Sequence, residues 1–141
     1  MSSAPSSASH TDLTANKHLV SSFIDALSAH RLDEAFAMLR PDAEVWVLTA
    51  RQSFSRDQYA GMYKELSATR FVDGIEMAAT GPMTAEGDRV SVQGESHGEM
   101  TNGKIYNNLY HFLFEIEDGQ IRKLWEYADT HHSMMTLRAP D

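Results

Sequence analysis

Gln93, Glu95 and His97, at alternate positions, and a further acid at Asp129 are the groups in this chain best suited to hold or move a proton. Burial beside apolar surface disfavours the charged form of a carboxyl, which tunes it toward general acid or base work near neutral pH. To act together these groups must share one face of one element, and two turn signals bear on whether they do. Asn102-Gly103 and Asp118-Gly119 both suit a type I′ hairpin, which needs positive φ at its two central positions. With two-residue turns and no bulge, Thr101 pairs with Lys104 and Glu117 with Gln120, and the other neighbours follow by counting. Three rows result: Gln93 beside Phe112 beside Trp125, Glu95 beside Tyr110 beside Tyr127, and His97 beside Asn108 beside Asp129. Side chains alternate along a strand, so all of these share one face. The reverse face then carries Val92, Leu113 and Leu124 in one row and Gly94, His111 and Glu126 in the next, with His111 paired to Glu126.

Aromatic walls with a few convergent polar groups describe a small-molecule pocket, provided helices cover that face. On this reading Asp129 is the leading catalytic acid or base, Glu95 the second, and His97 a proton shuttle. Asn108, Tyr110 and Tyr127 are candidate donors to a developing oxyanion, while Gln93, Phe112, Trp125, Tyr59 and Tyr63 line the substrate site. Two plainer roles compete: Asp129 could cap the segment 130–137, and the mixed face could be exposed to solvent. A metal ion on Glu95, His97 and Asp129 is not expected, because flat-sheet spacing separates Glu95 from Asp129 by about 12 Å. No glycine-rich phosphate loop, nucleophile elbow or basic aromatic patch occurs, so no nucleotide cofactor and no serine-hydrolase chemistry is expected.

The elements that position these groups follow from periodicity. Leu19, Val20, Phe23, Ile24 and Leu27 predict a helix over about 12–29 with Thr11 or Asp12 as N-cap. Leu32, Ala35, Phe36 and Leu39 predict a short second helix stopped by Pro41. Residues 43–49 alternate as a strand, and Ser55 with Gln58 forms a capping box for a third helix that turns Tyr59, Met62, Tyr63 and Leu66 inward. From about residue 71 the period becomes two, giving strands over 71–83, 88–101, 104–117 and 120–129 in a meander. Helices first and an antiparallel sheet afterwards is the α+β pattern.

The 141 residues, 42% of them hydrophobic, suit one domain over 11–141 behind a polar lead, 1–10, read as disordered. A net charge of -8 argues against nucleic acid or an anionic membrane surface as partner. No run approaches the ~18 apolar residues of a membrane span. The chain has no cysteine, which removes thiol chemistry and leaves the cytoplasm as the default compartment.

The stretches Gly103-Lys104-Ile105-Tyr106-Asn107-Asn108, Phe114 with Asp118-Gly119-Gln120-Ile121, and Trp125-Glu126-Tyr127-Ala128-Asp129 carry a resemblance. Over about 13–132 the chain resembles the SnoaL-like and limonene-epoxide-hydrolase-like groups of the nuclear transport factor 2-like (ketosteroid isomerase-like) superfamily. The resemblance implies a cone of helices closing over a curved, mainly antiparallel sheet, with a cofactor-free acid–base pocket inside and a homodimer. It puts Asp129 where these families keep a catalytic aspartate on the last strand, and Glu95 at a second acidic position of the epoxide hydrolases. Gln93 stands where those hydrolases have an arginine, and Val45 and Val47 stand where they have the tyrosine and asparagine that hold the attacking water. Those departures favour proton transfer on an enolisable substrate, as in isomerisation, aldol-type cyclisation or retro-aldol cleavage, over epoxide hydrolysis. A non-catalytic binding or assembly module is the rival reading. For the dimer, the face carrying Val92, Leu109, Leu113 and Leu124 has the composition of a subunit contact.

Overall fold

A computed structural model describes residues 10–138. The lead expected over 1–10 lies, up to residue 9, outside the described residues. Apolar residues at helical spacing give α1 (His10–Ser28), with Val20, Phe23, Ile24 and Leu27 buried. The helix begins earlier than expected, which places Thr11 and Asp12 inside its first turn instead of at its cap. α2 (Leu32–Ala37) ends before Pro41, which falls within β1 (Leu39–Val47) where the pairing to the last strand shifts between Leu39 and Glu44. A residue without an N–H is tolerated at such an irregularity. β2 (Gln52–Ser55), which the sequence did not mark, folds back on β1 and leads into α3 (Arg56–Arg70). The expected capping box is present: Ser55 Oγ accepts from the Gln58 N–H at 3.1 Å, and Gln58 Oε1 accepts from the Ser55 N–H at 3.0 Å. Tyr63 of α3 is buried and Tyr59 and Leu66 pack partly against the core, but Met62 is 49% exposed.

The remaining elements are β3 (Glu76–Ala79), β4 (Thr84–Glu86), β5 (Arg89–Glu99), β6 (Ile105–Tyr106), β7 (Leu109–Glu117), β8 (Gln120–Ala128) and α4 (Thr130–Thr136). They join one sheet in the order β2-β1-β8-β7-β5-β3, with β4 and β6 also on β5. β1 runs parallel to β8 and the other pairs are antiparallel. This is the α+β, helix-on-curved-sheet architecture. Two of the expected long strands are not continuous: the first is reduced to β3, with β4 lying past its expected end, and the third is broken into β6 and β7 at Asn107 and Asn108. Among the described residues no helix is long and apolar enough to cross a membrane.

The register corrects the two-residue count on both sides of β7. At the second hairpin Asp118 and Gly119 both take positive φ, 53° and 76°, and Glu117 pairs with Gln120 as expected. At the first, Gly103 is left-handed (φ 88°) but Asn102 is not. There the Met100 N–H bonds to Lys104 O at 2.8 Å and the Gly103 N–H to Met100 O at 3.0 Å. That makes a three-residue loop closed by a left-handed glycine, so β5 meets β7 one residue off the count, with Gly94 opposite Tyr110 and Val92 opposite Phe112. A bulge at Arg122, between the Ile116–Ile121 and Glu115–Lys123 pairs, then sets Phe112 opposite Glu126 instead of Trp125. A one-residue slip turns a whole strand over. β7 keeps its expected face, whereas β5 and β8 present to the helices the sets expected outside.

The inner face therefore buries Val90, Val92, Phe112, Phe114, Ile116, Ile121 and Leu124 against α1 and α2, with Phe23 edge-on to Phe114 at 5.8 Å. Two inward positions of β5 are glycines for want of room: a Cβ on Gly94 would lie 2.9 Å from the Phe112 ring, and one on Gly98 2.7 Å from the Phe71 ring.

Candidate active site

Between α3, α4 and the inner face of the sheet lies a cavity of about 330 Å³. Its walls are largely apolar and aromatic, with Val47, Met62, Leu66, Ile75, Met77 and Leu137, and its polar groups are Thr49, Tyr59, Tyr63, Tyr106, Tyr110, Glu126, Ser133 and Arg138. A depression of about 490 Å³ between α1 and β3 is larger, but among the described residues Asp25 is its one ionisable group.

Glu126 faces inward because of the bulge at Arg122, in phase with Leu124 and Ala128. The Tyr59 hydroxyl donates to Glu126 Oε1 at 2.7 Å. Burial pushes the Glu126 carboxyl above its ordinary range, and the Tyr59 hydrogen bond partly opposes that rise. Burial also raises Tyr59, Tyr63, Tyr106 and Tyr110, helped in each case by the nearby charge of Glu126. The phenols are thus proton-bearing donors at neutral pH.

Behind the cavity runs a buried chain of hydrogen bonds. The Tyr110 hydroxyl donates to Ser96 Oγ at 3.1 Å. Since that proton is committed, Tyr106 is the donor in the 2.6 Å contact between the Tyr106 and Tyr110 hydroxyls. Asn108 Nδ2 donates to Tyr106 Oη at 3.2 Å and to Ser133 Oγ at 3.0 Å, and the Asn108 N–H donates to Ser96 Oγ at 3.1 Å. His132 stacks on Tyr106 at 5.5 Å and accepts from the Asn107 N–H at 3.1 Å. Tyr63 is different: its hydroxyl is buried with no hydrogen-bond partner among the described residues.

Of the residues singled out from the sequence, Tyr59, Tyr63 and Tyr110 line this cavity. Asn108 is buried in the hydrogen-bond chain, and Phe112 stacks under Tyr110 at 5.1 Å. Gln93, Glu95 and His97 point outward and are exposed, as is Tyr127. Trp125 is also on the outer face, with Lys123 Nζ 4.8 Å and Arg89 Cζ 5.4 Å from its ring. The slipped register accounts for all five of these placements. His111 correspondingly does not pair with Glu126; its Nε2 meets Ser91 Oγ at 2.6 Å. Asp129 is exposed and caps α4, accepting from the His131 and His132 N–H groups at 3.0 and 3.2 Å. Its link to the cavity is through α4, which carries Ser133, and at its C-cap Leu137, to the wall. Among the described residues no group of three or more His, Asp or Glu side chains is placed to hold a metal ion.

Sequence reasoning passed over Glu126, Tyr106, Ser96 and Ser133. A signal for the inner face existed on β5, where Val90, Val92, Gly94, Ser96, Gly98 and Met100 carry no charge while Arg89, Glu95 and Glu99 share the other phase.

Helices closing over a strongly curled sheet, with a partly polar cavity between, define the nuclear transport factor 2-like cone fold. Solved structures agree. An NTF2-like protein of unknown function from Burkholderia pseudomallei superposes with a TM-score of 0.75 at 16% identity, covering 89% of this chain and 98% of that one. PrhC from Penicillium brasilianum gives 0.80 at 10% identity, over 89% and 87%. An LEH-like epoxide hydrolase from M. tuberculosis gives 0.73 at 19% identity, over 90% and 92%. Within this fold the chain belongs to the SnoaL-like domain family, which it matches over residues 20–124. No curated protein matches it by sequence.

Proposed function

We propose that this protein is an acid–base enzyme that moves a proton on a small apolar or aromatic substrate bearing a carbonyl or hydroxyl oxygen, with Glu126 as proton carrier. The observation that carries this reading is one cavity holding both a carboxyl raised by burial and a buried tyrosine hydroxyl, Tyr63, with no protein partner. Leaving a buried hydroxyl unpaired costs about 1–3 kcal/mol, which a substrate oxygen at that place relieves. Ionised Glu126 takes a proton from the carbon beside the substrate carbonyl. The C–H electron pair moves into the new C=C bond, and the charge that develops on oxygen is met by the Tyr63 hydroxyl. Returning the proton to a different carbon completes an isomerisation; attack of the enolate carbon on a second carbonyl gives an aldol-type cyclisation, and the reverse is retro-aldol cleavage. Tyr59 fixes the orientation of the carboxyl throughout. Epoxide opening is supported less well, because Val45 and Val47 offer no hydrogen bond to an attacking water.

The test needs no natural substrate. In D₂O, a panel of aryl and cyclic ketones is screened by NMR for exchange of the protons beside the carbonyl. Wild type is expected to exchange some members, Glu126→Gln to be slower by ~100-fold or more, and Asp129→Asn, which can still cap α4, to match wild type. Wild-type exchange of no ketone, or exchange undiminished in Glu126→Gln, rejects the enzyme reading in favour of a binding module.

A further inference from the structure

Among the described residues, the lining of the Glu126 cavity contains one cationic side chain, Arg138, which follows α4. We infer that the substrate carries a carboxylate at the end remote from its reacting carbon, and that Arg138 receives it; this rests on the proton-transfer reading of the same cavity. Most arginines of this acidic chain are engaged by acids: Arg31 with Glu34, Arg40 with Asp42, Arg56 with Asp57, and Arg89 and Arg122 with Glu115. Arg138 lines a cavity yet shares no ion pair with any described residue. Its backbone is held in place, with the Arg138 N–H on Ser133 O at 3.2 Å. A second guanidinium stands at the same corner, where Arg70 Nη1 donates to Leu137 O at 3.3 Å.

With a net charge of -8, an anion approaching the chain is repelled over most of its surface and favoured only where cations gather. Arginine is the side chain whose planar fork matches a carboxylate in two parallel hydrogen bonds. At the reacting end, burial disfavours the charged form of Glu126. Leu66, Ile75, Met77 and Leu137 supply apolar wall to the same cavity. The fitting class is therefore an acid with an aromatic or alicyclic body and a carbonyl or hydroxyl oxygen at its far end.

The probes are 6-hydroxy-2-naphthoate and its methyl ester, titrated by their own fluorescence at pH 7 in low salt. Wild type is expected to bind the acid about tenfold tighter than the ester, the size of a charge-assisted contact weakened by solvent, and to lose much of that preference in 0.5 M salt. The acid-to-ester ratio falls to about one in Arg138→Gln and is retained in Arg138→Lys. Tyr63→Phe weakens both probes alike and keeps the ratio, so failure at the oxygen-binding end is told apart from failure at the carboxylate end. A wild-type ratio near one, a ratio unchanged in Arg138→Gln, or no binding of the acid overturns the inference.

Discussion

Glu126 holds a carboxyl where charge is disfavoured, and stability as well as reactivity must respond. Its folded value lies above the ordinary 4.5, with burial as the main cause. Over the window from about 4.5 up to that raised value, the folded chain keeps a proton that the unfolded chain has lost. The folded state then binds more protons, so stability falls as pH rises through the window and is level beyond it. Glu126→Gln keeps an acceptor for Tyr59 and removes the titration. Urea unfolding at pH 4.5 and at pH 8 is expected to show the variant gaining on wild type as pH rises; a difference that stays constant with pH rejects the assignment. The neighbouring tyrosines give a contrasting pair. Tyr63→Phe deletes a hydroxyl that no protein group satisfies and is expected to stabilise by about 1 kcal/mol, whereas Tyr59→Phe breaks a 2.7 Å bond to a carboxyl and is expected to destabilise by a similar amount. The same unfolding curves decide both.

At the scale of elements, α4 forms one side of the cavity wall, and Asp129 is what starts it. Its carboxylate satisfies two N–H groups at the head of the helix, so Asp129→Ala is expected to cost about 1 kcal/mol and to speed amide exchange over 130–137, while Asp129→Asn leaves both nearly unchanged. Equal exchange in the alanine variant and wild type removes Asp129 from this role. The first three helices and the Ser55–Gln58 capping box were legible because their signals are local: period, cap and breaker lie within a turn of one another; α4, too short for a period, was not predicted as a helix. The inward set of β7 was legible as well, since Tyr110, Phe112 and Phe114 are its bulkiest residues. The faces of β5 and β8 were not, because each rested on a count through a connection. Asn102-Gly103 serves a two-residue or a three-residue loop, and nothing in Ile121-Arg122-Lys123 announces a bulge. The site residues that this count assigned on β5 and β8, Glu95, His97 and Trp125 among them, went to the wrong face together. The phase of charges along β5 is a constraint from burial itself, and it carried the information that turn chemistry could not.

For the whole molecule, the redrawn register changes which surface is available to a partner. Val92 and Leu124, expected at a subunit contact, are core residues 2% and 1% exposed. The outer face keeps Leu109 at 61% and Tyr127 at 42% exposure, beside Leu113 and the Trp46–Trp125 pair on adjacent strands. Large side chains of this kind gathered on one sheet face are unfavourable to leave wet. We propose that a second copy covers them. The charges suit a two-fold arrangement, in which a surface meets itself reversed: Glu95 and Glu99 lie on β5, to one side of β7, and Lys123 lies on β8, to the other, so reversal brings acids toward a base. Such a contact uses the face opposite the helices and leaves Met62 and Arg138, at the mouth of the cavity, uncovered. Sedimentation at micromolar concentration is expected to give a dimer of the 15.8 kDa chain, and Leu109→Asp combined with Tyr127→Asp to give a folded monomer with an unchanged helical signal. Because the cavity is complete within one chain, ligand binding by that monomer should match the dimer's. A wild-type monomer rejects the interface, and a double variant that stays dimeric moves it to another face.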